Sequence, residues 1–114
     1  MGVLCVEILT ERDDSIRKIV LSGRLDTESS QELCPRVCNL MTDQPILVSL
    51  KKCNYISSAG VRALLVIARE AKEKGIKLRF SDAQPMVYDV LDMIGFLPLI
   101  EYRDTAAEAE AELL

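Results

Sequence analysis

Two adjacent serines, Ser57 and Ser58, lie between two apolar stretches in residues 54–65 (NYISSAGVRALL). Serine is a preferred N-cap residue, so the capping of a helix that begins here is one interpretation of these hydroxyls. A helix N-terminus also favours anions, because its first N–H groups are unpaired and carry partial positive charge. With Ser58 as the N-cap, a phosphate on Ser58 would be compatible with the fold, and Arg62 follows one turn later. The segment therefore predicts either a helix cap or a site of phosphorylation and docking.

Gly60 stands in the first turn of the same expected helix. Glycine at such a position costs about 1 kcal/mol of helix propensity relative to alanine. The close approach of another backbone, from inside the domain or from a partner, would explain that cost.

Most enzyme classes lack their essential residues in this chain. There is no histidine, so neither a Ser-His-Asp nor a Cys-His arrangement is possible. The sequence has no G-x-S-x-G motif and no glycine-rich phosphate loop of either common type. Residues 50–54 (LKKCN) lack the aspartate that flavodoxin-like signal receivers phosphorylate after their central strand. We therefore expect a protein that is not an enzyme and that binds no cofactor.

The four cysteines do not form a recognisable framework. There is no C-x-x-C pair, and no histidine is present to complete a mixed zinc site. Cys34 and Cys38 are one helical turn apart, which could bring two thiols together. We expect all four, Cys5, Cys34, Cys38 and Cys53, to be reduced and packed as small apolar residues.

Charge is unevenly distributed along the chain. The net charge is −4, and residues 101–114 account for this imbalance. Residues 51–79 instead contain eight Lys or Arg against two Glu. Such a segment could attract an acidic partner or a phosphate, or it could be an ordinary solvated face. The negative net charge of the chain and the lack of aromatic residues between the basic ones argue against a nucleic-acid partner.

Length and composition predict one globular domain over residues 1–114. Apolar residues make up 49% of the chain and aromatic residues only 4%, so we expect an aliphatic core. No apolar run approaches the roughly 20 residues that cross a bilayer, and the first residues do not resemble a secretory signal. We expect a cytoplasmic protein without direct membrane insertion.

The first half of the chain shows two strand patterns and one helix pattern. Residues 3–9 alternate as a half-buried strand, residues 11–14 form a turn, and residues 16–22 form the hairpin partner. Asp26 is placed to cap a helix whose apolar residues are Leu33, Val37, Leu40 and Met41. Pro35 lacks a backbone donor, so it should kink this helix or delay its start.

The second half alternates strands with helices. Residues 46–50 are continuously apolar apart from one serine, which is typical of a strand covered on both faces. The next helix carries its apolar stripe at Val61, Leu64, Leu65, Ala68 and Ala71, and Gly75 ends it. The remaining predicted elements are a strand at Ile76, Leu78 and Phe80, a helix from Pro85 to Gly95 with Val87, Val90, Leu91 and Ile94 on its buried face, a short strand at 97–102, and a final helix capped by Asp104.

The resulting order is β-β-α-β-α-β-α-β-α. Alternation of strands and helices after residue 24 predicts right-handed crossovers and a mostly parallel sheet, with an opening antiparallel hairpin. The fold class is therefore a small α/β domain with a mixed sheet.

Three motifs in this order resemble the STAS domain family. They are GRLD (residues 23–26), ISSAGV (residues 56–61) and LDMIGF (residues 91–96). The resemblance covers essentially the whole chain, which looks like a free-standing bacterial anti-sigma factor antagonist. The family motif is usually Asp-Ser-Ser/Thr-Gly. Here Ser57 replaces the aspartate, and Ala59 replaces the second hydroxyl residue.

The resemblance implies a phosphorylation switch. In the family, an anti-sigma factor serine kinase phosphorylates the serine that maps onto Ser58, and Ser57 is the second choice here. The unphosphorylated form binds the kinase and frees the sigma factor; the phosphorylated form dissociates, and a phosphatase is a further partner. The expected contact residues are Gly23, Asp26, Ser57, Ser58, Gly60, Val61 and Arg62.

Two alternatives remain open from the sequence. The departures at Ser57 and Ala59 leave open a constitutive interaction subunit of a transport or stress-sensing complex, without regulated phosphorylation. The second alternative is a site for a small molecule or nucleotide between the helix starts and the strand ends, although the sequence has no phosphate loop to support it. Val61 also fits the core, and Asp26 fits a simple N-cap.

Overall fold

A computed structural model of the chain describes residues 6–12 and 16–113, with side chains described from Ile16 onward. The predicted strand at 3–9 lies partly outside these residues, and so does Cys5. The turn predicted at 11–14 is wrong at residues 11 and 12, which belong to the first strand, and its other residues lie outside the described ones. In the described part of the chain, no helix has the length and apolar character needed to cross a membrane.

A five-stranded sheet forms the centre of the fold, and its strands lie side by side in chain order. The first two strands pair antiparallel, and each later strand pairs parallel to the one before it. This arrangement confirms the predicted hairpin and mostly parallel sheet. The strands are β1 (Val6–Arg12), β2 (Arg17–Leu25), β3 (Ile46–Ile56), β4 (Leu78–Ser81) and β5 (Tyr102–Arg103).

Within the described residues, four helices complete the predicted order of elements. They are α1 (Thr27–Cys38), α2 (Ser58–Glu73), α3 (Pro85–Met93) and α4 (Ala106–Leu113). Side chains of α1, α2 and α3 share the main apolar core with Ile46, Val48 and Leu50 of β3. Leu47 points to the other face of the sheet, where it packs with α4. The prediction that this strand is covered on both faces is therefore confirmed.

Helix α1 begins where the sequence predicts. The side chain of Asp26 accepts a hydrogen bond from the amide of Ser29, and the Ser29 hydroxyl accepts one from the amide of Asp26. This reciprocal capping box fixes the start, so Pro35 does not delay it. The helix ends at Cys38, three residues after Pro35, and the predicted helical residues Leu40 and Met41 lie in the turn that follows.

Two boundaries near the C-terminus differ from the prediction. The strand expected at 97–102 is only Tyr102–Arg103, because the preceding residues form turns whose amides bond locally, Ile100 to Phe96 and Tyr102 to Leu97. The cap expected at Asp104 is wrong as well. The hydroxyl of Thr105 accepts from the amide of Glu108 and supplies the first-turn contact of α4.

Helix α4 is attached by a small apolar contact and by ion pairs. Ala109 and Leu113 bury their side chains against the sheet. The Glu112 carboxylate lies 2.8 Å from Nε of Arg79 and 2.6 Å from Nε of Arg103. Hydrogen bonds from Arg103 and then Arg79 hold the pKa of Glu112 at about 2, below its ordinary 4.5. Glu112 therefore connects the last helix to β4 and to the edge strand β5.

This ion-pair arrangement predicts an acid-sensitive helix. Because the pKa of Glu112 is lowered on folding, its contribution to stability is complete above about pH 4.5 and is lost as the pH falls toward 2. We expect Glu112→Gln to speed hydrogen exchange of the α4 amides at neutral pH, measured by NMR. Glu108→Gln is the control, since the Glu108 carboxylate bonds the Thr105 hydroxyl and makes no ion pair within the described residues. Equal α4 exchange in Glu112→Gln and wild type would contradict this attachment.

Candidate functional site

The N-cap of α2 is Ser57, so the predicted cap at Ser58 is wrong by one residue. Ser57 has the extended backbone that an N-cap requires, with φ −98° and ψ 175°. Its hydroxyl accepts a hydrogen bond from the amide of Gly60 at 3.2 Å and donates to the carbonyl of Leu25 at 3.3 Å. The fold therefore already uses the Ser57 hydroxyl.

Ser58 is the first residue of α2, and its side chain is exposed. Over the residues that the structure describes, its hydroxyl makes no hydrogen bond. Negative charge at this position is favoured by the helix dipole and the nearby unpaired amides. Arg62, one turn further on, is also exposed and has no ion-pair partner within the described chain. Of the two serines, Ser58 thus has the exposed hydroxyl, and a negative charge there would be compatible with the start of its helix.

Gly60 is buried against the end of β2. A Cβ atom at this position would lie 2.5 Å from the carbonyl oxygen of Leu25 and 2.9 Å from side-chain carbons of Leu25 and Ile56. The sequence predicts a close backbone approach here, and the approaching backbone lies inside the domain. Gly60 therefore serves the packing of α2 on the sheet and is not available as a contact surface.

The end of β2 and the N-cap of α1 lie beside this junction, where the amide of Ser57 donates to the carbonyl of Leu25. Gly23 has a positive φ of 107° beside a register shift between β2 and β3. Arg24 stacks on the ring of Tyr55, with its guanidinium carbon 4.1 Å from the ring centroid. Hydrogen bonding from Ser29 holds the pKa of Asp26 below its ordinary value. Asp26 is thus an N-cap, the simpler of the two roles expected for it.

A shallow cavity of about 310 Å³ opens directly beside Ser58. Its wall includes Ile94, which is 48% exposed, and the adjacent Met93 is 83% exposed. Val61 is only 2% exposed and belongs to the core. We call this cavity the Ser58 groove; it is lined by Ser58, Val61, Arg62, Leu65, Ile94 and Phe96.

The groove contains residues that the sequence analysis missed. Ile94 was expected on the buried face of α3, but the helix ends at Met93 and Ile94 lies beyond it. Gly95, with a φ of 73°, then turns the chain so that Phe96 reaches the groove. The glycine of the LDMIGF motif was the signal in the sequence that could have indicated the end of α3 before Ile94. Of the expected contact residues, Ser58, Val61 and Arg62 line the groove, whereas Gly23, Asp26, Ser57 and Gly60 do not.

The cysteines do not build a metal centre in the described chain, where no cluster of three or more Cys, Asp or Glu side chains is placed to hold an ion. Cys34 and Cys38 are half-buried on α1, and Cys53 is buried. Burial raises the pKa of all three thiols. Raised pKa values keep them in the unreactive thiol form, as expected for packing residues.

The fold and the groove agree with a family assignment. Residues 7–109 match the family model of the STAS domain, and the chain belongs to this family. It is similar to the putative anti-sigma factor antagonist BtrV of Bordetella bronchiseptica, with 24% identity over 91% of this chain and 94% of the relative. It is also similar to the anti-sigma F factor antagonist of Paenibacillus polymyxa, with 25% identity over 95% of each chain.

Solved structures show the same fold. The anti-sigma factor antagonist SpoIIAA in its unphosphorylated form superposes with a TM-score of 0.74 and 18% identity, covering 93% of this chain and 94% of that one. The phosphorylated form of SpoIIAA from Bacillus superposes with a TM-score of 0.68 and 18% identity, covering 95% of this chain and all of that one. These structures confirm that the chain has the STAS fold.

Proposed function

We propose that this protein binds an anti-sigma factor serine kinase through the Ser58 groove, and that phosphorylation of Ser58 ends this binding. The observation that carries the proposal is that two neighbouring serines have different structural roles. Ser57 caps α2, while the hydroxyl of Ser58 is exposed at the edge of an apolar groove. The antagonist names of the relatives and the two phosphorylation states of SpoIIAA support the same function.

The groove has the composition of a docking surface. Exposed apolar residues that cluster beside a polar rim mark sites of protein contact more often than scattered ones do. Ile94 and Phe96 supply the apolar wall, and Ser58 and Arg62 supply the polar rim. A partner that covers the wall must also cover the Ser58 hydroxyl, so the docking surface and the modified atom coincide.

A phosphate on Ser58 would act on this contact through charge and size. It adds roughly −1.5 to −2 charges at neutral pH to a surface that the partner must desolvate. A hundredfold loss of affinity requires only about 2.7 kcal/mol. Burial of an uncompensated phosphate against an apolar wall or a carboxylate of the partner exceeds this requirement.

The departure at Ser57 affects kinase recognition more than the fold. Aspartate and serine are both good N-caps, so replacing the family's aspartate by Ser57 keeps the cap while removing a negative charge. Ala59 is half-buried at the second position of α2, and no hydroxyl is needed there for capping. The kinase of this protein therefore recognises the serine without the neighbouring carboxylate, and a phosphatase restores the binding form.

Docking at the groove is tested by replacing its most accessible apolar lining residue, Ile94. We expect Ile94→Asp to weaken binding to the anti-sigma factor of the same organism by at least about tenfold. Full burial of an apolar side chain of this size contributes about 1.5–3 kcal/mol, and the aspartate replaces this contribution by the cost of burying a charge. Met86→Asp is the matched control, since Met86 is 52% exposed and lies outside the groove. Titration calorimetry measures both. Equal affinities for the two variants would place the contact elsewhere.

A further inference from the structure

A second and larger groove lies further along α2. Its volume is about 520 Å³, and it runs between the C-terminal half of α2, the start of β4 and the turn at residues 98–101. We call it the α2–β4 groove. Its apolar floor consists of Leu65, Ala68, Ile76, Leu78, Pro98 and Leu99. Leu65 is shared with the Ser58 groove, and Ser58 itself takes no part in the α2–β4 groove.

The floor of this groove leaves apolar surface uncovered. Leu99 is 57% exposed, and Ile76 and Ala68 are partly buried against the main core. A contiguous apolar floor with a polar rim is the pattern of an interaction site, whereas single exposed apolar residues are ordinary. The turn that carries Leu99 holds it in place, because the amides of Ile100 and Tyr102 bond back to Phe96 and Leu97.

The rim of the groove is basic, although the chain as a whole is acidic. Arg69, Lys72 and Lys77 are exposed at the rim, and none of them makes an ion pair with another described residue. Arg79 also lines the groove, but Glu101 at 3.4 Å and Glu112 at 2.8 Å neutralise it. The groove is therefore lined by three cations that have no carboxylate partner among the described residues, and its acidic lining residue, Glu101, pairs with Arg79.

We propose that the α2–β4 groove binds an acidic amphipathic segment of a partner protein. Arg69 and Lys72 are three residues apart on α2, so they lie on the same side of the helix about one turn apart. Lys77, which lies just before β4, lines the same groove. A segment that places apolar side chains on Leu99 and Ile76 can direct flanking carboxylates to these cations. Phosphorylation of Ser58 is not needed for this contact, and the site stands whether or not Ser58 is modified.

The chemistry of this contact predicts a moderate, salt-sensitive affinity. Each exposed ion pair contributes only about 0.2–1 kcal/mol, and salt screens it over about 10 Å at 0.1 M ionic strength. The apolar floor contributes the part of the binding free energy that salt does not weaken. An acidic segment without apolar residues, or an apolar one without carboxylates, should therefore bind more weakly than a segment with both.

The test uses a synthetic helical peptide with leucines on one face and glutamates beside them. The full chain is titrated with this peptide and followed by two-dimensional NMR, with a glutamine-for-glutamate peptide as the control. We expect shift changes centred on Ile76 and Leu99 and an affinity loss of about tenfold in the Arg69→Glu/Lys72→Glu variant. Leu99→Ala should weaken binding and leave its salt dependence unchanged. Lys51→Glu/Lys52→Glu, which changes the same charge on β3, should have little effect.

Three outcomes would overturn the proposal. The first is equal binding of the glutamate and glutamine peptides. The second is equal loss of affinity in the two double variants, since it would mean unspecific attraction to any basic surface. The third is binding of vesicles containing 30% phosphatidylserine without binding of the peptide, which would assign the cations to a membrane surface. Because the readout is local to the α2–β4 groove, it is separate from any result at Ser58.

Discussion

The chain phosphorylated at Ser58 is expected to bind its anti-sigma factor about a hundredfold more weakly than the unmodified chain. The Ser58 hydroxyl is exposed at the edge of the groove, so the phosphate would lie inside the contact. Ser58→Glu, with one negative charge where phosphate has nearly two, should show a smaller loss in the same direction. Ser58→Ala should bind like the unmodified chain and resist inactivation by the kinase. Titration calorimetry with each form measures these differences.

The control for added charge is Thr42→Glu, at an exposed position in the turn that follows α1. This variant should bind the anti-sigma factor normally. A loss in Thr42→Glu equal to that in Ser58→Glu would show that total charge, and not its position, weakens binding. Normal binding by the phosphorylated chain would reject the switch but not the groove, which Ile94→Asp tests separately.

Gly60→Ala is expected to destabilise the protein by about 2 kcal/mol. The added Cβ would lie 2.5 Å from the Leu25 carbonyl oxygen. That carbonyl accepts from the amide and the hydroxyl of Ser57, so it cannot move away without breaking both bonds. Overpacking of this kind costs up to about 3 kcal/mol, and alanine recovers about 1 kcal/mol of helix propensity. Urea unfolding of the two chains measures the net change.

Arg62→Ala, two residues later on the exposed side of the same helix, is the control and should change stability by less than about 0.5 kcal/mol. A Gly60→Ala chain as stable as wild type, or more stable, would mean that α2 can shift away from β2 at little cost. The role given to Gly60 would then be wrong.

The order of elements was predictable because each has a local signal. Alternation in the strands, helical spacing of apolar residues and the glycines at 75 and 95 all lie within one segment of sequence. The close backbone approach at Gly60 was predictable for the same reason, since a glycine in a first turn needs an explanation. The tertiary structure was required only to identify Leu25 as the residue whose backbone approaches Gly60.

The errors arose where two local choices were nearly equal. Both Ser57 and Ser58 are good caps, and only the register of β3 against β2, with the Ser57 amide bonded to Leu25, selects Ser57. Helical spacing assigned Ile94 to the core because it continues the pattern of α3, but Gly95 ends the helix first.

Ion pairs between distant residues were not visible in the sequence. The basic segment at 51–79 was counted as one feature, yet Arg79 is neutralised by Glu112, which lies 33 residues further along the chain. The cations at the rim of the α2–β4 groove become distinct only after this pairing is known. Charge counts along a segment therefore overstate the free charge of the folded surface.

The most direct test of the central claim is phosphosite mapping by mass spectrometry on the chain recovered from its native cells, during growth and under stress. We predict a phosphate on Ser58, and none on Ser57, in an amount that changes with the condition. A peptide spanning Ser57 and Ser58 that stays unmodified in every condition would contradict the switch.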